Sequence, residues 1–173
     1  RNSLVIRGAL QAAQRANACI IIEIARSEGG ADAYCAVNYW NIARQVDAIC
    51  NELGIRIPVA IHADHYGIKT ESDIEVAKVE IPTLFEAGMT SIAVDASHMP
   101  DDQNLLANLQ LNPFIPAWAG LETEVGEIKG KEGLSTVAAT ETSISRGVSV
   151  ISSISSSVMT WLSGVLSTSN WSD

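Results

Sequence analysis

Apolar residues in the first part of the chain alternate between two spacings, one typical of helices and one of buried strands. Residues 3–17 repeat apolar side chains at helical intervals, and residues 19–25 then form an apolar run that only Glu23 interrupts. The same alternation recurs along the chain. It predicts helices over 3–17, 42–53, 72–88 and about 101–110, and strands over 19–25, 58–64, 91–95 and 118–125.

Residues that favour caps and turns set the predicted ends of these elements. Gly54 stands where a helix commonly ends in a left-handed residue. Ser72 and Glu75 have the spacing of a capping box, which predicts a helix start there. Pro82 falls inside the same helix and is expected to kink or split it. Residues 26–37, which include two adjacent glycines, are expected to form a loop.

The regular alternation of strand and helix predicts a parallel sheet with helical crossovers. Each unit takes roughly 30 residues, so the chain has room for roughly five units, whereas a full eight-unit barrel takes about 250 residues. We interpret residues 1–135 as one α/β domain. The chain opens at Arg1 inside a helical pattern, and we expect its natural start to lie further upstream.

Composition changes after residue 135. Residues 143–172 contain a single charged residue, Arg146, and residues 151–157 are mostly serine. We interpret residues 136–173 as an atypical low-complexity tail. It is either a genuine extension or the product of an out-of-frame translation, and the composition favours the non-native origin.

Charge and cysteine content narrow the classes of partner and location. The net charge of −9 argues against nucleic acid and against an anionic membrane as partners. No apolar run reaches the roughly 18 residues that a membrane span needs. The three cysteines show no CxxC spacing, which indicates reduced thiols and a cytoplasmic protein.

Polar residues lie at or just after the end of each predicted strand, and parallel strands deliver such residues to one rim of a barrel. His65 and Glu124 offer an imidazole and a carboxylate, which suit zinc or another divalent transition metal. Asp64 would stand beside that metal, where it could transfer a proton. The full set is Glu23, Arg26, Asp64, His65, Asp95, Ser97, Glu122 and Glu124.

Structural explanations compete with some of these assignments. His62 is either part of the site or a packed, hydrogen-bonded core residue. Asp95 is either a site carboxylate or the cap of the next helix. His98 is expected to be a loop histidine, and residues 127–132 are either part of the site or an ordinary solvated loop.

Two motifs resemble those of the class II, metal-dependent fructose-bisphosphate aldolase family. The first is PVAIHADH at 58–65, and the second is LETEVGEIKGKE at 121–132. A third stretch, from FEAG at 85–88 to VDASH at 94–98, is also similar to the family. The resemblance extends from about residue 3 to 135, and it is specific because both main motifs occur together.

This resemblance implies a (β/α)8 barrel of which residues 1–135 form about the first half. It implies reversible aldol cleavage of a ketose 1,6-bisphosphate, a phosphorylated sugar, with Zn2+ or another divalent transition metal as cofactor. His65 and Glu124 match metal ligands of the family, and Asp95 matches a carboxylate near the metal in some members. Asp64 matches the acid that exchanges a proton with the C4 hydroxyl, and Glu132 matches the glutamate that abstracts a proton from the ketone substrate.

The resemblance also shows what this chain lacks. The family takes two further histidine ligands and its phosphate-binding loops from later strands, but no histidine follows His98 in this sequence. Lys129 also departs from the family pattern. The main alternatives are a tagatose-bisphosphate type of aldolase and a non-catalytic barrel fragment that needs a partner chain. A full-length protein of this family is expected to be a homo-oligomer.

Overall fold

The computed structural model describes residues 2–31 and 35–124. In chain order the elements are α1 Ser3–Ala16, β1 Ile20–Ala25, α2 Arg26–Gly29, α3 Ile42–Leu53, β2 Val59–Gly67, α4 Glu71–Glu86, β3 Ser91–Asp95, α5 Asp101–Leu111, a 3-10 turn Asn112–Phe114, and β4 Gly120–Thr123. Glu132, the tail 136–173 and the predicted boundary between domain and tail lie outside these described residues.

The four strands form one parallel sheet in the order β1-β2-β3-β4. Their spatial order follows the chain without reversal, which is how strands are arranged around a (β/α)8 barrel. In a doubly wound sheet the order reverses at a switch point instead. The described residues therefore have the arrangement of a partial barrel, in agreement with the expected fold class.

Helix ends follow local capping chemistry. The side chain of Asn2 accepts the N–H of Val5 at 3.0 Å and opens α1. Gly54 ends α3 with φ 62, the left-handed conformation that glycine adopts at low cost. Both helices lie within one or two residues of the predicted bounds.

Two local predictions are wrong, and one alternative of a third, the splitting of α4 at Pro82, is excluded. The capping box of α4 is formed by Thr70 and Asp73, whose carboxylate accepts the Thr70 N–H at 2.8 Å, and not by Ser72 and Glu75. The helix runs through Pro82 without being split. Residues 26–37 are not wholly a loop, because α2 directly follows β1.

The second strand differs most from its prediction. It does not end at the His-x-Asp-His cluster but continues to Gly67, with an irregular register between Ala63 and Tyr66. His65 lies inside this irregularity with φ 45. The strand resumes because Tyr66 is fully buried. Ile68, which directly follows the end of the strand, is also fully buried, and the two residues tie the segment beyond His65 to the core.

Helices cover one side of the sheet. Ile22 and Ile24 of β1 are buried, whereas the alternating residues Ile21 and Glu23 are exposed. The main core lies between the sheet and the apolar faces of α1, α3 and α4. Within the described ranges, none of the helices combines the length and the apolar character that crossing a membrane requires.

Candidate metal centre

The candidate centre lies at the carboxyl ends of three neighbouring strands. His65 comes from β2, Asp95 ends β3, and Glu124 directly follows β4. His65 Nδ1 is 2.9 Å from a carboxylate oxygen of Glu124 and 3.3 Å from Oδ2 of Asp95. One possible ligand atom from each residue lies within 4.8 Å of the other two. Residues separated by some thirty positions along the chain thus meet because parallel strands place their ends together.

Asp95 is held in a fixed orientation by its own turn. Its Oδ1 accepts both the N–H and the hydroxyl of Ser97, which leaves Oδ2 for His65. Burial raises the pKa of Asp95, but the hydrogen bonds from Ser97 and His65 outweigh it and lower that pKa overall. Asp95 does not cap the next helix, since α5 begins at Asp101 after Pro100. It is therefore an ionised carboxylate at the centre.

The other two groups respond to this charge in opposite ways. The hydrogen bond that the His65 ring donates to Asp95 raises the pKa of His65, and the charges of Asp64 and Glu124 raise it further, although burial opposes this. Burial, together with the nearby charge of Asp95, raises the pKa of Glu124, although His65 opposes this. The imidazole therefore holds a proton more tightly than usual, and the glutamate is harder to ionise. The charges of neighbouring carboxylates contribute to both shifts, and a cation would neutralise those charges.

Asp64 lies beside the cluster. Its Oδ1 is 3.9 Å from Nε2 of His65, and its side chain is 30% exposed. This carboxylate can be reached from solvent, unlike the carboxylate of Asp95, whose side chain is 14% exposed. Asp64 is thus accessible to a molecule that approaches His65 from solvent.

A second polar group lies further back along the strands. His62 is buried, with Nδ1 2.8 Å from the hydroxyl of Ser91 and Nε2 3.6 Å from Oε2 of Glu122. His62 is therefore the packed, hydrogen-bonded residue of the two possibilities. Glu122 and Glu124 contact different histidines, so they do not act on one atom. Glu23 lies inside β1, in register with His62 of β2, and not at the end of its strand as expected.

Two residues near the centre were not identified from the sequence. The side-chain amide of Asn104, on α5, donates to the backbone carbonyl of Glu124 at 2.9 Å. The hydroxyl of Tyr39 donates to the backbone carbonyl of Asp64 at 3.1 Å. Asn104 and Asn108 carry a signal, since two polar residues four apart lie on the buried face of α5. Tyr39 carries no such signal.

The donor set suits a metal ion. One imidazole nitrogen and two carboxylate oxygens converge from three rigid strand ends, and such mixed nitrogen and oxygen ligands bind zinc and other divalent transition metals. The described residues thus contain a His/Asp/Glu group that could hold a metal ion.

Comparison with known proteins identifies the relatives of this chain. The family described as "Fructose-bisphosphate aldolase class-II" matches residues 1–160. Fructose-bisphosphate aldolase of Staphylococcus aureus is 34% identical over 124 residues, which cover 71% of this chain and 39% of the relative. The protein of the same name from Geobacillus stearothermophilus is 32% identical over 124 residues, with the same coverage of both chains. The chain thus spans about two-fifths of the length of these curated relatives.

Solved structures support the fold. A probable tagatose 6 phosphate kinase from Sinorhizobium meliloti 1021 matches with a TM-score of 0.67 at 16% identity, covering 90% of this chain and 44% of that chain. The YdjI aldolase from Escherichia coli K12 matches with a TM-score of 0.56 at 19% identity, covering 84% and 48%. At these identities the likeness concerns the fold alone. The family match and the curated relatives show that the chain belongs to the class II fructose-bisphosphate aldolase family.

Proposed function

We propose that this chain carries the metal-binding and proton-transfer part of an aldolase that cleaves fructose 1,6-bisphosphate to dihydroxyacetone phosphate and glyceraldehyde 3-phosphate, and that acts in glycolysis and gluconeogenesis. The observation that carries the proposal is the convergence of His65, Asp95 and Glu124 at the carboxyl ends of three strands. This rim is where barrel enzymes build their active sites. Membership of the family supports the reaction class.

His65, Asp95 and Glu124 would hold the cation, and zinc is the metal that we propose. A bound divalent cation supplies a Lewis acid that polarises the carbonyl group of a ketone substrate. The protein's own part is to keep the three ligands together. Asp95 does so by binding Ser97 through one oxygen while presenting the other to the centre.

Proton transfer is assigned to two carboxylates. Asp64 would exchange a proton with the C4 hydroxyl of the sugar, since it is partly exposed and lies 3.9 Å from His65. Glu132 would abstract a proton from the ketone substrate. Its assignment rests on the family motif at 121–132 and lies outside the described residues. A Schiff-base lysine is not required in this scheme.

We expect the chain as given to bind metal weakly and to turn over little substrate. It spans 39% of the length of its relatives, and no histidine follows His98 to supply the two further ligands that the family uses. Metal-dependent cleavage at a measurable rate by the purified chain, abolished by a chelator, would contradict this expectation without contradicting the metal site.

Metal titration tests the site directly. Isothermal titration of the purified chain with Zn2+ should show one ion per chain, and His65→Ala should abolish binding. His98→Ala is the matched control, because His98 is an exposed histidine outside the cluster. Equal binding by the wild type and His65→Ala would refute the proposed centre.

Substrate class requires a second assay. A sample that binds zinc should be tested with fructose 1,6-bisphosphate and with tagatose 1,6-bisphosphate, and triose phosphate release should be measured. Preference for the tagatose sugar would overturn the proposed substrate in favour of the alternative. Light scattering on the same sample would separate a stable monomer from the self-association expected of a barrel fragment with open edges.

A further inference from the structure

The backbone at His65 adopts a conformation that the sequence does not favour. His65 has φ 45 in the middle of β2, whereas Asn17, another residue with positive φ, is an ordinary helix cap. A left-handed residue other than glycine costs free energy and persists only when its surroundings enforce it. Something must therefore hold the strand on both sides of His65.

Tyr39 holds the strand on one side. Its hydroxyl donates to the carbonyl of Asp64, the residue before His65, at 3.1 Å. The side chain is fully buried and stacks on Tyr66 with ring centroids 6.5 Å apart. Burial also raises the pKa of Tyr39, so its hydroxyl stays protonated and remains a donor.

Arg26 holds the strand on the other side. Its Nη1 donates at 2.8 Å to the carbonyl of Gly67, two residues after His65. The guanidinium lies 4.4 Å from the ring centroid of Tyr66, within the range of a cation–π contact. Nη2 is 3.5 Å from Glu80, whose same oxygen accepts the Tyr66 hydroxyl at 2.9 Å. Arg26 is therefore engaged by protein groups on several sides.

These contacts have a common consequence. The carbonyl groups of Asp64 and Gly67 bracket the residue with the unfavourable backbone, and each accepts a hydrogen bond from a side chain of another segment. The backbone beyond the irregularity is then tied to β3, where the Ile68 N–H donates to the Asp95 carbonyl at 2.7 Å. Fixing β2 in this way directs the imidazole toward Asp95 and Glu124.

We propose that Tyr39 and Arg26 are positioning residues that maintain the left-handed backbone of His65 and so aim its imidazole at the metal centre. The effect on metal binding rests on the proposed function, whereas the effect on the backbone does not. Neither residue touches the cluster of His65, Asp95 and Glu124 through any contact described above, so each acts through the strand.

Tyr39→Phe tests the proposal, because it removes the hydroxyl and keeps the ring. Thr83→Val is the matched control. It removes a hydroxyl that accepts the Trp40 indole N–H at 2.9 Å and donates to the Glu80 carbonyl at 2.7 Å, and that makes no hydrogen bond to β2 among the described residues. Two measurements are needed on the full chain. They are amide hydrogen exchange at Ile68 without metal, and the dissociation constant for Co2+ followed by its visible absorption.

Tyr39→Phe should speed amide exchange at Ile68 by about tenfold, because the loss of one hydrogen bond makes local opening of this segment more favourable. It should also weaken Co2+ binding by about tenfold, as supporting residues of metal ligands typically do. Thr83→Val should change both values by less than about twofold. Arg26→Gln provides a second variant, with the same direction expected, in case Tyr39→Phe does not fold.

The outcomes separate the two proposals. Unchanged exchange at Ile68 in Tyr39→Phe and in Arg26→Gln, or an equal change in Thr83→Val, would overturn the positioning role. Failure of the wild-type chain to bind Co2+ would count against the proposed function only. Hydrogen exchange at Ile68 in the metal-free protein would then decide the positioning role by itself.

Discussion

Replacing Asn104 with leucine should loosen the centre at Glu124 without touching any ligand atom. Asn104 is buried on α5, and its amide nitrogen donates to the backbone carbonyl of Glu124 at 2.9 Å. Leucine has a similar size but cannot donate this bond. Glu124, which carries one of the candidate ligand atoms, would lose the hydrogen bond that holds its backbone carbonyl.

The magnitude follows from the bonds that change. Asn108 Nδ2 donates both to Oδ1 and to the backbone carbonyl of Asn104, so it keeps a partner after the substitution. The part-buried Glu124 carbonyl loses the Asn104 bond, and about 1–3 kcal/mol, the cost of leaving a fully buried acceptor unpaired, is the upper limit of this loss. The free energy of unfolding should therefore fall by about 1–2 kcal/mol, because the leucine side chain recovers part of the loss by apolar burial.

Asn108 provides a matched control one helical turn further on. It is as buried as Asn104, and among the described residues its Oδ1 has no hydrogen-bond partner. Asn108→Leu removes that unpaired oxygen but deprives Asn104 Oδ1 of its donor. The number of unpaired buried acceptors stays the same, so stability should change by no more than about 0.5 kcal/mol.

Urea denaturation followed by circular dichroism measures both variants. For a chain of this length, about 1–2 kcal/mol corresponds to a loss of roughly 2–8 °C in Tm. Zinc titration of Asn104→Leu should also show affinity reduced by about tenfold. Equal losses of stability and of zinc affinity in the two variants would refute the reasoning, because only Asn104 contacts the backbone of Glu124.

Three further predictions follow from other contacts. Zinc affinity should fall as pH drops through the raised pKa of His65, since metal and proton compete for the imidazole. Asp95→Asn removes the carboxylate that raises this pKa, so isothermal titration of that variant across about pH 5–8 should show the fall in affinity at lower pH. Gly88→Ala should lower the free energy of unfolding, measured by urea denaturation, by about 2–4 kcal/mol, because Gly88 has φ 107 and a Cβ would lie 2.7 Å from an alanine methyl group of α3. Gly54→Ala should lower it by about 1 kcal/mol, because a Cβ at Gly54 would meet open space. Burial raises the pKa of Asp73, but backbone and side-chain hydrogen bonds outweigh it and lower that pKa overall, so the ionised carboxylate stabilises the fold at pH values above its ordinary pKa. Asp73→Asn should therefore reduce Tm at neutral pH. The difference in Tm between the two proteins should vanish as pH falls through the lowered pKa.

Apolar periodicity was sufficient to locate the four long helices and the four strands, because each of them buries apolar residues in the same core, but it missed the short helix α2. It failed at β2 for a physical reason. The positive φ of His65 and the irregular register interrupt the alternation of buried and exposed residues, so the recognisable pattern ends at the polar cluster. The buried Tyr66 and then Gly67 continue the strand, but a pattern with a break in it cannot show that they belong to it.

The start of α4 shows a different limit. Thr70 with Asp73, and Ser72 with Glu75, are two overlapping sequences with the same capping-box spacing. Both satisfy the local rule, and local chemistry cannot choose between them. The structure uses the earlier pair. Contacts between distant segments were equally out of reach, since the bonds from Tyr39 and Asn104 to the site depend on where loops and helices lie over the sheet.

The charges around His65 favour a cation site over a structural ion-pair network. A single imidazolium needs one carboxylate, and the 2.9 Å contact with Glu124 would supply it. Asp95 and Asp64 approach the same ring as well, and the pKa of Glu124 is raised because burial and the charge of Asp95 oppose its ionisation. Carboxylates held together against their mutual repulsion stabilise no fold by themselves, but they bind a divalent cation that neutralises them.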